Sequence, residues 1–217
     1  MYQAVIFDLD GTLIDSEGVY LNCFMEYLSE RNIPISYETA CRAVGTYHSG
    51  VLDMICEKYG LSCTAKDLRK DYELYFKQRC FAYRDLLFPE VPEVLEYLKK
   101  KNITLAIASS SSMPVIKKVL KETGLTGYFS EVVSGDMFQK SKPHPEIYFY
   151  TRRILETDAA RTLIVEDSDY GIQAGKLSGS TVAARRENRF GLTQRGADYL
   201  FDDMRELIVL LETERIT

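Results

Sequence analysis

Residues able to bind an ion or to react chemically are concentrated in four short segments of the 217-residue chain. The segments are Asp8-Leu9-Asp10-Gly11-Thr12, Ser109-Ser110-Ser111-Ser112, Lys142-Pro143 and Glu166-Asp167. Asp8, Asp10 and Asp167 offer hard oxygen ligands that suit Mg²⁺, and carboxylates held together repel one another unless a cation neutralises them. Ser109 and Lys142 offer a hydroxyl group and a positive charge to an anion. A site for both Mg²⁺ and an anion suits phosphoryl transfer, in which an aspartate can act as covalent nucleophile.

Each segment taken alone has a simpler interpretation. Asp-x-Asp-Gly is typical of turns, the serine run and Lys-Pro are typical of exposed loops, and Glu166-Asp167 could cap a helix. A calcium loop starting at Asp8 is excluded, because its sixth position is Leu13 instead of Gly and its twelfth is Val19 instead of Glu. Neither GxxxxGK[ST] nor GxGxxG occurs, so the sequence does not predict nucleotide sites of those types.

The predicted elements that precede the four segments support a shared functional site. Near-continuous apolar runs at 3–8, 103–108 and 161–166 predict strands buried on both faces of a parallel sheet. Weaker strands are predicted at 131–134 and 181–184, with amphipathic helices between them. We therefore expect an α/β fold with a doubly wound, mostly parallel, Rossmann-like sheet. Ligands bind at the carboxyl ends of such strands, where the four segments would converge.

Residues 16–85 interrupt this alternation of strands and helices. Apolar residues recur there at helical spacing in three places: Leu21, Phe24, Met25 and Leu28; Leu52, Cys56 and Tyr59; and Leu68, Tyr72, Tyr75 and Phe76. The sequence thus predicts an α/β core over 1–15 and 86–217, with an inserted all-helical cap over 16–85. The cap would join the core at only two points, near Asp15 and near Leu86-Leu87, and we expect it to move as a lid.

Composition narrows the class of protein. The net charge of −5 argues against a nucleic-acid-binding protein. The longest apolar runs fall short of the ~18 residues that a membrane span needs, and the N-terminus does not resemble a secretion signal. The five cysteines include no CxxC pair and the chain has two histidines, so we expect reduced thiols in a cytoplasmic protein rather than a zinc site.

The four segments resemble the motifs of the haloacid dehalogenase-like (HAD) superfamily of phosphohydrolases, and within it the β-phosphoglucomutase-like subgroup with a helical cap. The matching stretches are Phe7–Ser16, Ile107-Ala108-Ser109, Ser141-Lys142-Pro143 and Val165-Glu166-Asp167-Ser168, followed by Gly171-Ile172-x-Ala174-Gly175. The resemblance covers nearly the whole chain and is least specific in the cap.

The resemblance implies roles for the reacting residues. Asp8 would be the nucleophile and a Mg²⁺ ligand. Asp10 would protonate the leaving oxygen, later activate water, and touch the ion through its backbone carbonyl. Lys142 would neutralise Asp8 and the phosphate. Asp10 also distinguishes the chain from dehalogenating and phosphonate-cleaving members, which lack an acid at this position.

The resemblance also implies the binding residues. Ser109 and the Ser110 amide would hold phosphate oxygens, and Thr12 belongs to the same phosphate-binding set. Asp167 would complete the Mg²⁺ site. Glu166 would meet the ion directly or through another ligand, and these alternatives stay open.

The resulting hypothesis is a monomeric, Mg²⁺-dependent phosphatase of small phosphorylated metabolites, such as sugar phosphates, acting through an aspartyl-phosphate. The alternative is a phosphosugar mutase like β-phosphoglucomutase; a non-catalytic binding protein is the third possibility. Tyr20 stands where the mutases have a histidine, and His48 stands where they have arginine or lysine, which favours the phosphatase. His48 is either a phosphate contact or a residue without a ligand.

Overall fold

A single parallel sheet organises the chain, whose computed structural model describes residues 2–45 and 50–213. In that part of the chain the strands are β1 (Ala4–Phe7), β2 (Thr104–Ser109), β3 (Glu131–Ser134), β4 (Thr162–Glu166), β5 (Thr181–Arg185) and β6 (Tyr199–Phe201). Their order in the sheet is β3-β2-β1-β4-β5-β6 and every pairing is parallel. The predicted doubly wound α/β fold is therefore confirmed.

The predicted strands and β1–β5 agree to within a residue or two at each end. Strand β6 was not predicted, because it has three residues and two of them are exposed, so no apolar run marks it. At the centre of the sheet, Ile6 of β1 lies in register with Ala106 of β2 and Ile164 of β4.

Helices cover both faces of the sheet. They are α5 (Val91–Lys100), α6 (Met113–Thr123), α7 (Glu146–Ile154), α8 (Asp169–Leu177) and α9 (Glu206–Thr213). Alternate side chains of a strand point to opposite faces: Val5 and Phe7 pack with α5, α6 and α9, whereas Ile6 packs with α7 and α8. The central strand is thus buried on both sides, which explains its uninterrupted apolar sequence.

Other α-helices lie between β1 and α5, within residues 16–85, which we call the helical segment. They are α1 (Glu17–Glu30), α2 (Tyr37–Cys41), α3 (Val51–Lys58) and α4 (Ala65–Lys77). The predicted apolar patterns fall on α1, α3 and α4, whereas α2 has five residues and is too short for a periodic signal. Phe24, Leu52 and Tyr72 belong to a hydrophobic cluster that these helices share, separate from the clusters on the sheet. The division into core and cap remains a prediction.

The two crossings between sheet and helical segment lie side by side. The Asp15 amide donates to the Leu86 carbonyl at 2.7 Å, and the Phe88 amide donates to Leu13 at 3.2 Å. None of the helices in residues 2–45 and 50–213 is long and apolar enough to cross a membrane. All five cysteines are free thiols.

Candidate active site

The predicted segments meet at the carboxyl edge of the sheet. Asp8 follows β1, Ser109 ends β2, Glu166 ends β4 and Asp167 comes next. Gly11 lets the loop after β1 approach β4: its φ is +75°, and a Cβ atom there would lie 2.1 Å from Asp167 Oδ2. The glycine of the first segment is therefore required for this close approach.

Three buried carboxylates form a compact acidic cluster. Asp8, Glu166 and Asp167 each place an oxygen within 4.8 Å of the others. Asp167 Oδ2 is buried and has no hydrogen-bond partner among the described residues, while Oδ1 accepts from the Thr12 hydroxyl at 3.3 Å. An unpartnered buried carboxylate oxygen is costly unless a cation satisfies it. The donor set and this orphaned oxygen fit Mg²⁺.

Electrostatics in the cluster also favour a cation. Burial raises the pKa of Asp8 to about 8, although Lys142 opposes this shift, and Glu166 and Asp10 add to it. Burial, with Glu166 next, raises the pKa of Asp167 well above its usual range. A divalent cation would relieve both effects and keep the two groups ionised.

Lys142 lies at the centre of the acids. Its Nζ donates to Asp8 Oδ1 at 2.5 Å, to Glu166 Oε1 at 2.6 Å and to the Ala108 carbonyl at 3.0 Å. Burial lowers the pKa of Lys142, but Asp8 and Glu166 outweigh it and raise the pKa well above the usual value. The ammonium group therefore stays charged and fixes one oxygen of Asp8.

Both carboxylate oxygens of Glu166 accept hydrogen bonds from protein donors. Oε1 accepts from Lys142 and from the Tyr148 hydroxyl at 2.5 Å, and Oε2 accepts from the Asp167 amide at 3.1 Å and the Ser168 hydroxyl at 3.2 Å. Gly171 leaves it room, since a Cβ atom there would lie 2.0 Å from the carboxylate. Sequence reasoning missed Tyr148, whose place on the buried face of α7 becomes visible only once that helix is packed.

Asp10 is held by two serine hydroxyls. Ser16 donates to its Oδ1 at 2.7 Å, and Ser111 donates to its Oδ2 at 2.6 Å. Ser109 lies behind Ser111, whose amide donates to the Ser109 hydroxyl at 3.0 Å. The sequence placed Ser16 and Ser111 near the site but did not pair either with Asp10.

A cavity of about 610 Å³ separates this edge from the helices above it. Asp8, Asp10, Lys142, Asp167 and the serine run line one side. The other side carries residues of α1, α4 and the loop after α2: Glu17, Tyr20, Leu21, Phe24, Ala43, Val44, Gly45, Arg69, Tyr72, Glu73, Phe76 and Lys77. The lining omits Thr12, whose fully buried hydroxyl binds Asp167 instead, so this arrangement gives no support to its predicted phosphate contact.

The helical side of the cavity carries both aromatic and charged side chains. Tyr20 and Phe76 meet edge to face with ring centroids 5.1 Å apart, and Phe24 and Tyr72 do so at 5.2 Å. Tyr20 lies over the acids, since after burial itself the charge of Asp10 is the main cause that raises the pKa of Tyr20 well above its usual value. His48 lies outside the described residues.

Glu17 is a further acid in the cavity that sequence reasoning missed. Burial raises the pKa of its carboxyl to about 8, with Asp10 and Asp8 adding to the shift. Its only sequence signal was its place directly after Asp15-Ser16.

Fold and site together define a hydrolytic enzyme of the doubly wound α/β class with an aspartate at the end of its first strand. The family model of the haloacid dehalogenase-like hydrolases matches residues 5–185, and the chain belongs to that family.

The chain is similar to proteins that are named phosphatases. The chain is 30% identical over 210 residues to a phosphoglycolate phosphatase of Aquifex aeolicus, covering 97% of both chains. It is 30% identical over 177 residues to a phosphorylated carbohydrates phosphatase of Thermotoga maritima, covering 82% of both. Among solved structures, a putative β-phosphoglucomutase from Thermotoga maritima aligns with a TM-score of 0.71 and 28% identity, over 98% of this chain and 99% of that one.

Proposed function

We propose that this protein is a Mg²⁺-dependent phosphatase of small phosphorylated metabolites that acts through an aspartyl-phosphate on Asp8. One observation carries the proposal: Asp8 is paired with a buried lysine beside Asp167, whose Oδ2 has no hydrogen-bond partner within residues 2–45 and 50–213. The family and the names of the relatives support phosphate-ester hydrolysis.

Asp8 and Asp10 divide the chemistry between them. Lys142 holds one Asp8 oxygen, and the other attacks phosphorus, so that an acyl–phosphate bond forms and the ester P–O bond breaks. Asp10, held by Ser16 and Ser111, gives its proton to the departing oxygen. It then takes a proton from the water that attacks the phospho-aspartate, which releases inorganic phosphate and restores Asp8.

The remaining site residues bind and neutralise. Asp8, Asp167 and the backbone carbonyl of Asp10 would hold Mg²⁺, which supplies positive charge against the phosphate oxygens. The hydroxyl of Ser109 and the amide of Ser110 would bind the transferred phosphoryl group. Glu166 acts through Lys142 and Tyr148, because both of its oxygens are already engaged.

A phosphosugar mutase is the second candidate, because one structural relative is described as a putative β-phosphoglucomutase. A mutase must keep its phospho-enzyme from water until the sugar is rebound. Tyr20 lines the cavity where the mutases of this subgroup have a histidine, which favours transfer to water. The helical segment would then serve as a cap that chooses the leaving group. Cytoplasmic location and a monomeric state remain predictions.

A phosphate-release screen with three arms tests the proposal. The substrates are a panel of sugar phosphates and phosphoglycolate, assayed with Mg²⁺ and with excess chelator, and with Asp8→Asn as the matched variant. We expect Mg²⁺-dependent release from wild type, none from the variant, and an acid-quenched wild-type enzyme that carries one phosphoryl group on Asp8. Turnover by Asp8→Asn, or undiminished turnover in chelator, would refute the mechanism. Glucose 6-phosphate forming faster than phosphate from β-glucose 1-phosphate would favour the mutase.

A further inference from the structure

Residues 186–196, which form most of the loop between β5 and β6, connect two parts of the molecule that turnover would have to coordinate. We call this segment the brace. It has irregular backbone, yet Glu187, Phe190 and Gln194 are each at least nine-tenths buried. Loops normally lie on the surface because their polar groups need water. These buried side chains must therefore be satisfied by specific contacts, and those contacts reach in two directions.

One end of the brace is hydrogen-bonded to the loop after β4, which carries the proposed metal ligand Asp167. Gln194 Nε2 donates to the Asp167 carbonyl at 2.6 Å and to the Arg185 carbonyl at 2.5 Å, and its Oε1 accepts from the Glu187 amide at 3.0 Å. Two carbonyl acceptors and one amide donor allow a single orientation of the side-chain amide. The two donor hydrogens of this buried group therefore link the backbone of Asp167 to the backbone of Arg185 at the end of β5.

A second contact fixes the same end. The Asp169 carboxylate accepts from the Thr193 amide and hydroxyl, each at 3.0 Å, and from the Gln194 amide. Asp169 begins α8, two residues after Asp167. The brace therefore holds the backbone on both sides of Ser168, between the metal ligand and the helix.

The other end of the brace is fastened to the helical segment. Arg189 makes a two-point ion pair with Asp15, from Nη1 to Oδ2 at 3.0 Å and from Nη2 to Oδ1 at 2.6 Å, and it also pairs with Glu187. Phe190 packs into a cluster with Leu21 of α1 and Val44. Asp15 lies where the chain passes from the core into the helical segment, just before α1. The brace therefore contacts the start of α1 through the Arg189–Asp15 ion pair and through the apolar packing of Phe190.

We propose that Gln194 is a positioning residue for the Asp167 carboxylate, and that the brace couples this metal-binding acid to the seating of the helical segment through Arg189 and Phe190. The proposal rests on the Mg²⁺-dependent phosphatase function proposed above. Asp167 Oδ2 has no hydrogen-bond partner among the described residues. It stays directed at the proposed Mg²⁺ site only while hydrogen bonds hold the Asp167 backbone. Removing groups that orient metal ligands typically weakens metal binding about 10- to 100-fold.

The first experiment measures Mg²⁺ binding by calorimetry, alongside steady-state kinetics. Gln194→Glu keeps the shape and the acceptor but replaces a donor with an oxygen that faces two carbonyls. We expect the Mg²⁺ dissociation constant and the Mg²⁺ concentration for half-maximal activity to rise about 10- to 100-fold, while the substrate KM at saturating Mg²⁺ stays unchanged. The control is Gln173→Glu, the same change at an exposed position of α8.

Thr193→Val is the milder variant if Gln194→Glu does not fold. It removes only the hydroxyl contact to Asp169 and leaves the amide contact, and we expect a few-fold loss of Mg²⁺ affinity. Wild-type Mg²⁺ affinity in both variants would overturn the positioning role. A loss of kcat that saturating Mg²⁺ does not restore would also overturn it, since that points to general damage.

A double-mutant cycle tests the coupling. Arg189→Met removes the ion pairs at the far end of the brace, and we expect it to weaken Mg²⁺ binding several-fold although it touches no metal ligand. Combined with Gln194→Glu, the loss should be smaller than the product of the two separate losses, because the first change already releases the brace. Wild-type affinity in Arg189→Met, or factors that multiply, would overturn the coupling. If wild type itself neither binds Mg²⁺ nor releases phosphate, the proposed function fails instead.

Discussion

Replacing Lys142 by methionine should lower both turnover and stability, by amounts that the contacts of its ammonium group set. The side chain is 5% exposed and Nζ bridges two carboxylates. Loss of one preorganised electrostatic contact to a reacting phosphoryl group costs about 10²–10³ in rate. Removing one partner of a buried ion pair costs about 3–5 kcal/mol of unfolding free energy.

We expect the stability loss to fall near about 3 kcal/mol, the lower end of that range. Burial raises the pKa of Asp8 to about 8 even though Lys142 lowers it, so without the lysine this pKa rises further and the carboxyl is protonated at neutral pH instead of remaining an unpaired charge. Glu166 keeps its bonds from Tyr148 and from the Asp167 amide. Methionine fills most of the space of the lysine stem, so the cavity it leaves is small.

The assay pairs denaturant unfolding in chelator with phosphate release at saturating Mg²⁺. Lys140→Met is the matched control, because Lys140 is exposed and two residues away. The control should change neither quantity appreciably. Equal, small effects of both substitutions would show that Lys142 is neither the partner of Asp8 nor part of the phosphate site in solution.

Three further changes have definite expected outcomes. Asp8→Asn should abolish phosphate release yet unfold in chelator at a denaturant concentration no lower than wild type, since it removes one of several crowded acids; early unfolding would contradict this. Burial raises the pKa of Glu17 to about 8 from 4.5, so the folded state binds its proton more tightly and stability falls as pH rises toward 8. Between pH 6 and pH 8 in chelator, the free energy of unfolding should fall less for Glu17→Gln than for wild type. Equal falls would count against the raised pKa of Glu17. Thr64→Ala should cost about 1 kcal/mol because Thr64 caps α4 reciprocally with Asp67, whereas exposed Ser62→Ala should cost almost nothing in the same unfolding assay.

The sequence predicted the sheet and the acids at its edge because both depend on local patterns. A strand buried on two faces must be apolar throughout, and the residue after it must lie at the sheet edge, so Asp8 and Asp167 could be placed without coordinates. Tyr148 and Ser111 could not be paired with their carboxylates, because those contacts join positions 18 and 101 residues apart. Spacing along the chain carries no information about such pairs.

The brace was missed for a different reason. Its sequence, Arg186 to Gly196, is charged and contains two glycines, which is the composition of an exposed loop. Burial of Gln194 depends on the backbone carbonyls of Asp167 and Arg185, which accept its hydrogen bonds, and the type of a residue does not indicate where its carbonyl group points. The two predicted junctions, near Asp15 and near Leu86-Leu87, describe only where the chain passes between core and cap, and they do not include the contacts that the brace makes.

The contacts of the brace set the approximate free energy that opening of the predicted lid would require. Lifting the helical segment would break the partly exposed Arg189–Asp15 pair, worth up to about 1 kcal/mol, and would expose Phe190, worth about 1.5–3 kcal/mol. The sum of about 1.5–4 kcal/mol corresponds to an open fraction of about 7% down to 0.1%, which is in the range of the minor states that ligands select. Gly45 lies against Ser168, where an added Cβ atom would approach the Ser168 Cβ to 2.7 Å, so the described conformation is the seated one. If the helical segment moves as predicted, a seated state favoured by this margin would keep bulk water from the acids for most of the time, yet would open often enough for the proposed phosphorylated substrate to enter.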